Sequence, residues 1–101
     1  MDKVTDGLKH DGSKPRLALV PPEAVEAIGK VMTKALEKYD ENSWRKVSPS
    51  RYRDALMRHW CEYIKDPQKC DTDSGYPHIW HVLTNAAFLV ALEMEEKTNE
   101  L

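Results

Sequence analysis

The chain predicts an all-α domain, a three-helix, bundle-like core behind an extended N-terminal arm. Three observations carry this. Apolar residues recur at helical spacing in three separate stretches, the segments between them hold turn-forming proline and glycine, and no internal repeat or low-complexity run points elsewhere. At 101 residues the whole chain, 1–101, is one domain with room for a single modest core, so a homo-oligomer is expected from the start.

The arm comes first. Residues 1–21 are rich in Gly, Pro, Lys and Asp, with a short apolar alternation through Leu17 and Leu19, and they read as extended. The helical core spans 22–97. Its first helix opens at Pro22, a residue suited to an initial turn, and carries Val25, Ile28, Met32, Leu36 and Tyr39 at helical spacing, ending near Asp40 to Asn42.

The second helix, Arg51 to Lys65, puts Tyr52, Leu56, His59, Trp60 and Tyr63 on one face and Arg51, Asp54, Arg58 and Glu62 on the other, with Ser48 or Ser50 as its cap. After the loop "DPQKCDTDSGYP", a third helix runs from about Pro77 to Glu96. Its middle is nearly all apolar, which makes it the central helix.

Composition narrows the partners. With 32% charged and 41% hydrophobic residues, and 15 basic side chains against 17 acidic, the net charge is -2, so neither a nucleic-acid polymer nor a membrane is expected as a partner. No apolar run approaches the roughly 20 residues that span a bilayer, and "MDKVTDGLKHDG" lacks a signal peptide's hydrophobic segment. A cytoplasmic protein is expected, with Cys61 and Cys70 as free thiols.

Polarity falls where the third helix should be buried. At roughly 100° per residue, His78, His81 and Asn85 lie within about 60° of one another, flanked by Ile79, Trp80, Val82, Leu83 and Phe88. His59 sits mid-face on the second helix, so two helices point imidazoles inward, where polar groups need partners or ligands. His59, His78, His81 and Asn85 are therefore the candidate catalytic set. Asp71 and Asp73 from the preceding loop, with His78 and His81, are the candidate metal ligands for a divalent ion, Mg or Mn first and Zn second.

The simpler reading is that inward histidines bond one another and the backbone. Two metal patterns are set aside. His59, Cys61, Cys70 and His78 match no standard structural-zinc spacing, and "DTDSG" begins a calcium loop whose twelfth position is Val82 in place of Glu.

Carboxylate pairs Glu23/Glu26 and Glu37/Asp40 resemble the magnesium ligands of nucleotide pyrophosphohydrolases of the MazG type. On one continuous helix, however, they would stand about 21 Å apart and could not share an ion within a subunit. A solvated charged face is expected instead, unless an antiparallel partner helix brings the pairs together.

In the arm, Lys14 and Arg16 around Pro15 and next to a glycine turn suit a phosphate, or form a solvated tether anchored by Leu17, Leu19 and Val20. Asn42 and Trp44 suit a nucleotide base, though Trp44 serves equally as core, and Arg58 completes the substrate-binding set.

Four stretches, "GLKHDGSKPRLALVPPEAVEAI", "KYDENSW", "YRDALMRHWCEY" and "DTDSGYPHIWHVLTNAAFLVALE", resemble a largely bacteriophage family, the dATP/dGTP diphosphohydrolase N-terminal domain, over Gly7 to Glu93. Its most specific parts are K-P-R-L-x-L-x-P-P, here Lys14 to Pro22, and D-x-x-[ST]-G-x-x-H-x-x-H-x-x-x-N, here Asp71 to Asn85. The chain departs from the family in having Asp40 after Tyr39 and Ser43 between Asn42 and Trp44.

The resemblance implies a nucleotide ligand, and release of pyrophosphate from purine deoxynucleoside triphosphates with a divalent metal, in the host cytoplasm if phage-encoded. The alternative from another class is a non-catalytic oligomeric sponge sequestering cyclic or other nucleotide signals of host anti-phage defence. A helical adaptor binding protein through exposed Trp and Arg residues is the third.

Overall fold

The computed structural model describes residues 12–99, the side chains of 98 and 99 excepted. Residues 1–11 of the arm lie outside the described residues, as do 100–101. Three α-helices follow the order expected: α1 (Pro22–Ala35), α2 (Pro49–Lys65) and α3 (His78–Asn99). There is no strand among the described residues, only an isolated antiparallel bridge between Cys70 and Pro77. No helix there is long and apolar enough to cross a membrane.

Each helix start has a local cause. Pro22 and Pro49 stand in the first turns of α1 and α2, where the missing N–H costs nothing. Of the two serines expected to cap α2, Ser48 does so, its hydroxyl accepting from the Ser50 N–H at 3.4 Å. In the loop before α3 the chain doubles back through Asp71 N–H to Tyr76 O and Gly75 N–H to Asp71 O, both 2.8 Å. That reversal places Gly75 at φ 80, a conformation costly for any residue with a Cβ.

α1 ends sooner than its periodicity implies. Beyond Ala35 the N–H groups of Leu36, Glu37 and Lys38 reach back only three residues, to Thr33, Lys34 and Ala35, tightening the helix into a turn. Leu36 and Tyr39, which keep the helical spacing, are 54% and 63% exposed, so nothing buries them to hold the helix open-ended. This corrects the expectation of one continuous helix to Asp40. Glu37 ends on the surface, paired with Lys34 at 3.1 Å, and Asp40 turns toward the space between α1 and α2.

Asn42 then starts a 3₁₀ turn, Ser43–Lys46, with φ 67. Asparagine tolerates this left-handed geometry and β-branched residues do not. Asn42→Gly is expected to leave the denaturation midpoint nearly unchanged, whereas Asn42→Val lowers stability by about 1–2 kcal/mol; equal midpoints in urea would show the turn to be unstrained.

The arm departs in a second way. Leu17–Leu19 forms a 3₁₀ turn that packs on no helix, and Leu17, Leu19 and Val20 are 77%, 68% and 48% exposed, so they do not anchor it.

α3 is the shared partner. α2 and α1 each pack against it, while α1 and α2 do not pack on each other, so the wedge between them stays open. The interior is thin and partly polar: Ala27 is the sole buried hydrophobic residue among those described, beside buried His59, His78, Thr84 and Asn85. Thr84, 2% exposed, satisfies its hydroxyl by donating to Trp80 O at 2.9 Å.

Candidate functional site

His59 projects from the middle of α2 onto the first turns of α3. Its Nδ1 lies 2.8 Å from Nδ1 of His78, so one ring carries the shared proton and the other supplies a lone pair. Its ring also stacks on His81, with centroids 4.4 Å apart and planes 14° from parallel. Burial, reinforced by the neighbouring His81, lowers the His59 pKa to about 4 against an opposing pull from Asp71. His59 is therefore neutral at pH 7.

The turn before α3 delivers the carboxylate. Asp71 Oδ2 accepts the Ser74 N–H at 2.8 Å and lies 3.9 Å from His81 Nε2. Burial alone would raise the Asp71 pKa, but the Ser74 N–H, the Ser74 hydroxyl and the two nearby imidazoles outweigh it and hold the carboxyl below its ordinary value. Ser74 Oγ accepts from the Tyr76 N–H at 3.1 Å and sits 2.6 Å from His81 Nε2. With its proton turned to Asp71, the hydroxyl oxygen keeps a second lone pair to accept from His81 Nε2–H, which leaves Nδ1 of His81 with the ring's lone pair; burial lowers the His81 pKa.

One atom each from His59, Asp71 and His78 lie within 4.8 Å of one another, the one such group of ligating side chains among the described residues. Two imidazoles and a carboxylate are a donor set that fits a divalent ion. His81 is outside this group, turned to Ser74. Asp73 is outside it too, exposed and bound to Lys38 Nζ at 2.9 Å. Neither carboxylate pair from the α1 region joins it.

The open wedge between α1 and α2 is a groove of about 930 Å³, with Asn85 and Phe88 of α3 on its floor. Asn42, Trp44, Arg58 and Asn85, singled out from three separate segments, all line it, together with Tyr39, Arg51, Tyr52 and Asp54. Arg51 and Arg58 are seven residues apart on α2, hence on one helix face. Asn85 joins groove to cluster, since its Nδ2 donates to His81 O at 2.7 Å.

Trp44 is wall more than platform. Phe88 stacks on it at 4.6 Å and the Arg45 guanidinium lies 4.4 Å from its centroid, so its faces are taken; the Tyr52 hydroxyl donates to its carbonyl at 2.7 Å. Lys14 and Arg16 are exposed and line no part of the groove. Ser74, Arg51 and Tyr39 were not among the expected site residues. Ser74 had a signal, as the hydroxyl position of the D-x-x-[ST]-G motif; Arg51 had one in its spacing from Arg58.

Among known proteins, the chain is 28% identical over 94 residues to a dATP/dGTP diphosphohydrolase of Salmonella phage PMBT28. The match covers 93% of this chain and 32% of that relative, so the chain spans about a third of the relative's length. No solved structure matches it significantly. The family whose model it matches, over residues 4–100, is described as dATP/dGTP diphosphohydrolase, N-terminal, and the chain belongs to that family.

Proposed function

We propose that this domain binds a purine deoxynucleoside triphosphate in the groove between α1 and α2 and serves its hydrolysis to the monophosphate and pyrophosphate. The observation that carries the reading is the convergence of Asn42, Trp44, Arg58 and Asn85 on one groove large enough for a nucleotide. The relative's name supplies the substrate class.

Tyr39, exposed within the groove, offers a ring face to the base, and Trp44 with Phe88 forms the apolar wall beside it. Asn85 spends its Nδ2 on His81, leaving Oδ1 to accept from an exocyclic amine. Arg51 and Arg58 present guanidinium forks to the phosphates and offset the charge that builds as pyrophosphate departs. In the reaction a water oxygen bonds to the α-phosphorus, the P–O bond to the β-phosphate breaks, and pyrophosphate leaves with that electron pair. The water's proton goes to Nδ1 of His81, the ring nitrogen that Ser74 does not engage.

A divalent ion would be held by His59, Asp71 and His78, and when bound would polarise a phosphoryl oxygen or a water.

The test is incubation with nucleoside triphosphates and cyclic dinucleotides, with and without each metal, followed by chromatography of ligand and products. Monophosphate and pyrophosphate formed from dATP or dGTP only with metal is the expected result. Nucleotide that returns intact after denaturing the protein would replace hydrolysis by sequestration. Absence of both binding and turnover would remove the nucleotide reading.

A further inference from the structure

The cluster of His59, Asp71 and His78 joins three pieces of chain at the seam where α2 packs on α3: the middle of α2, the turn after Cys70, and the first residue of α3. Among the described residues the hydrophobic interior reduces to Ala27, so such a junction carries unusual weight. We propose that these three side chains hold a zinc-class transition-metal ion that staples α2, the Asp71–Ser74 turn and the start of α3 together, and that the site discriminates against magnesium and calcium. This rests on the reading of the cluster as a metal centre and goes beyond it in the ion's class and its structural role.

Geometry supports the class. A tetrahedral ion with bonds of about 2.0–2.1 Å holds two nitrogens about 3.3 Å apart. The Nδ1 atoms of His59 and His78 stand at 2.8 Å, so parting by about half an ångström replaces their hydrogen bond with two metal bonds. Magnesium and calcium favour oxygen donors, and this site supplies one carboxylate against two imidazoles. Three protein ligands leave a fourth position open.

The surroundings fix the ligands in place. The Ser74 N–H holds Asp71 Oδ2 at 2.8 Å, Ser74 Oγ is tied to His81 at 2.6 Å, and the His81 ring stacks on His59. Outer contacts of this kind orient ligands toward an ion.

The experiment follows thermal unfolding of the chelator-treated chain as Zn, Co, Mn or Mg is added, with the visible spectrum recorded for Co. Zinc or cobalt at about a hundredfold excess over its dissociation constant is expected to raise Tm by about 15 °C, cobalt giving the absorption bands of a low-coordinate ion, while millimolar magnesium leaves Tm in place. Asp71→Asn keeps an oxygen for the Ser74 N–H and is expected to fold and lose most of the shift; His78→Gln is the second variant.

A full zinc shift in Asp71→Asn would place the ion elsewhere, for instance at the exposed Cys61 and Cys70, and overturn the proposal. So would equal shifts with magnesium, or none with zinc and cobalt. Nucleotide binding measured in parallel separates the two readings: binding without a metal shift overturns the staple alone, and a metal shift without nucleotide binding upholds the staple while removing the nucleotide.

Discussion

Phe88→Ala is expected to lower stability by about 3 kcal/mol and Tm by roughly 15 °C. Phe88 stacks on Trp44 at 4.6 Å and meets Tyr52 at 4.8 Å, so it is where α3, α2 and the 3₁₀ turn before α2 come together. Its ring is half-buried at the floor of the groove, which puts the loss at the lower end of the range for truncating an aromatic. For a domain whose whole stability is on the order of 5–15 kcal/mol, that is a large share. Phe88→Leu recovers apolar volume but not the ring pairs, worth about 0.5–1.5 kcal/mol each, and falls between. Val90→Ala, two residues on and 59% exposed, serves as the control and moves stability by less than about 0.5 kcal/mol. Calorimetry on the three variants decides it, and a Phe88→Ala midpoint equal to the control's would mean that the groove has no packed floor.

The second large effect falls on binding. Arg58→Glu is expected to weaken nucleotide affinity at least about 30-fold, the equivalent of about 2 kcal/mol, by turning a phosphate fork into a repelling carboxylate. Arg58 is exposed at the groove and appears in none of the ion pairs among the described residues, so its reversal leaves Tm within about 0.5 kcal/mol of the parent. Equilibrium dialysis with dATP, alongside Arg51→Glu, measures the loss. Unchanged affinity in both variants would move the phosphates out of the groove, with the exposed Lys14 and Arg16 as the remaining cations to test.

The helices were legible because each has a periodic apolar face, and α3 was legible as the central one because its middle is apolar almost all round. The end of α1 was not. Leu36 and Tyr39 keep the rhythm of a helix, but rhythm holds backbone in place only where a neighbour buries it, and none does.

The inward histidines were also readable, since His59, His78, His81 and Asn85 fall on faces that must pack, and three of the four are buried with His81 half so. Which aspartate joins them was not readable. Asp71 and Asp73 differ in reach only because the chain reverses through Gly75 and hands Ser74's N–H to Asp71, a matter of loop geometry that periodicity does not encode. The groove was invisible for a related reason: it exists because α1 and α2 fail to touch, and a sequence pattern records faces that meet more clearly than gaps that remain.

That gap has a mechanical consequence. With α1 and α2 each mounted on α3 and not on each other, the domain is a pair of jaws on a common bar, and the jaw spacing can change without breaking a packed seam between them. The contact that crosses from the end of α1 to the turn before α3, Lys38 to Asp73, is a solvent-exposed ion pair and offers little resistance. Compliance is therefore built into the width of the groove, while the histidine cluster sits in the packed α2–α3 joint, whose seam is already closed.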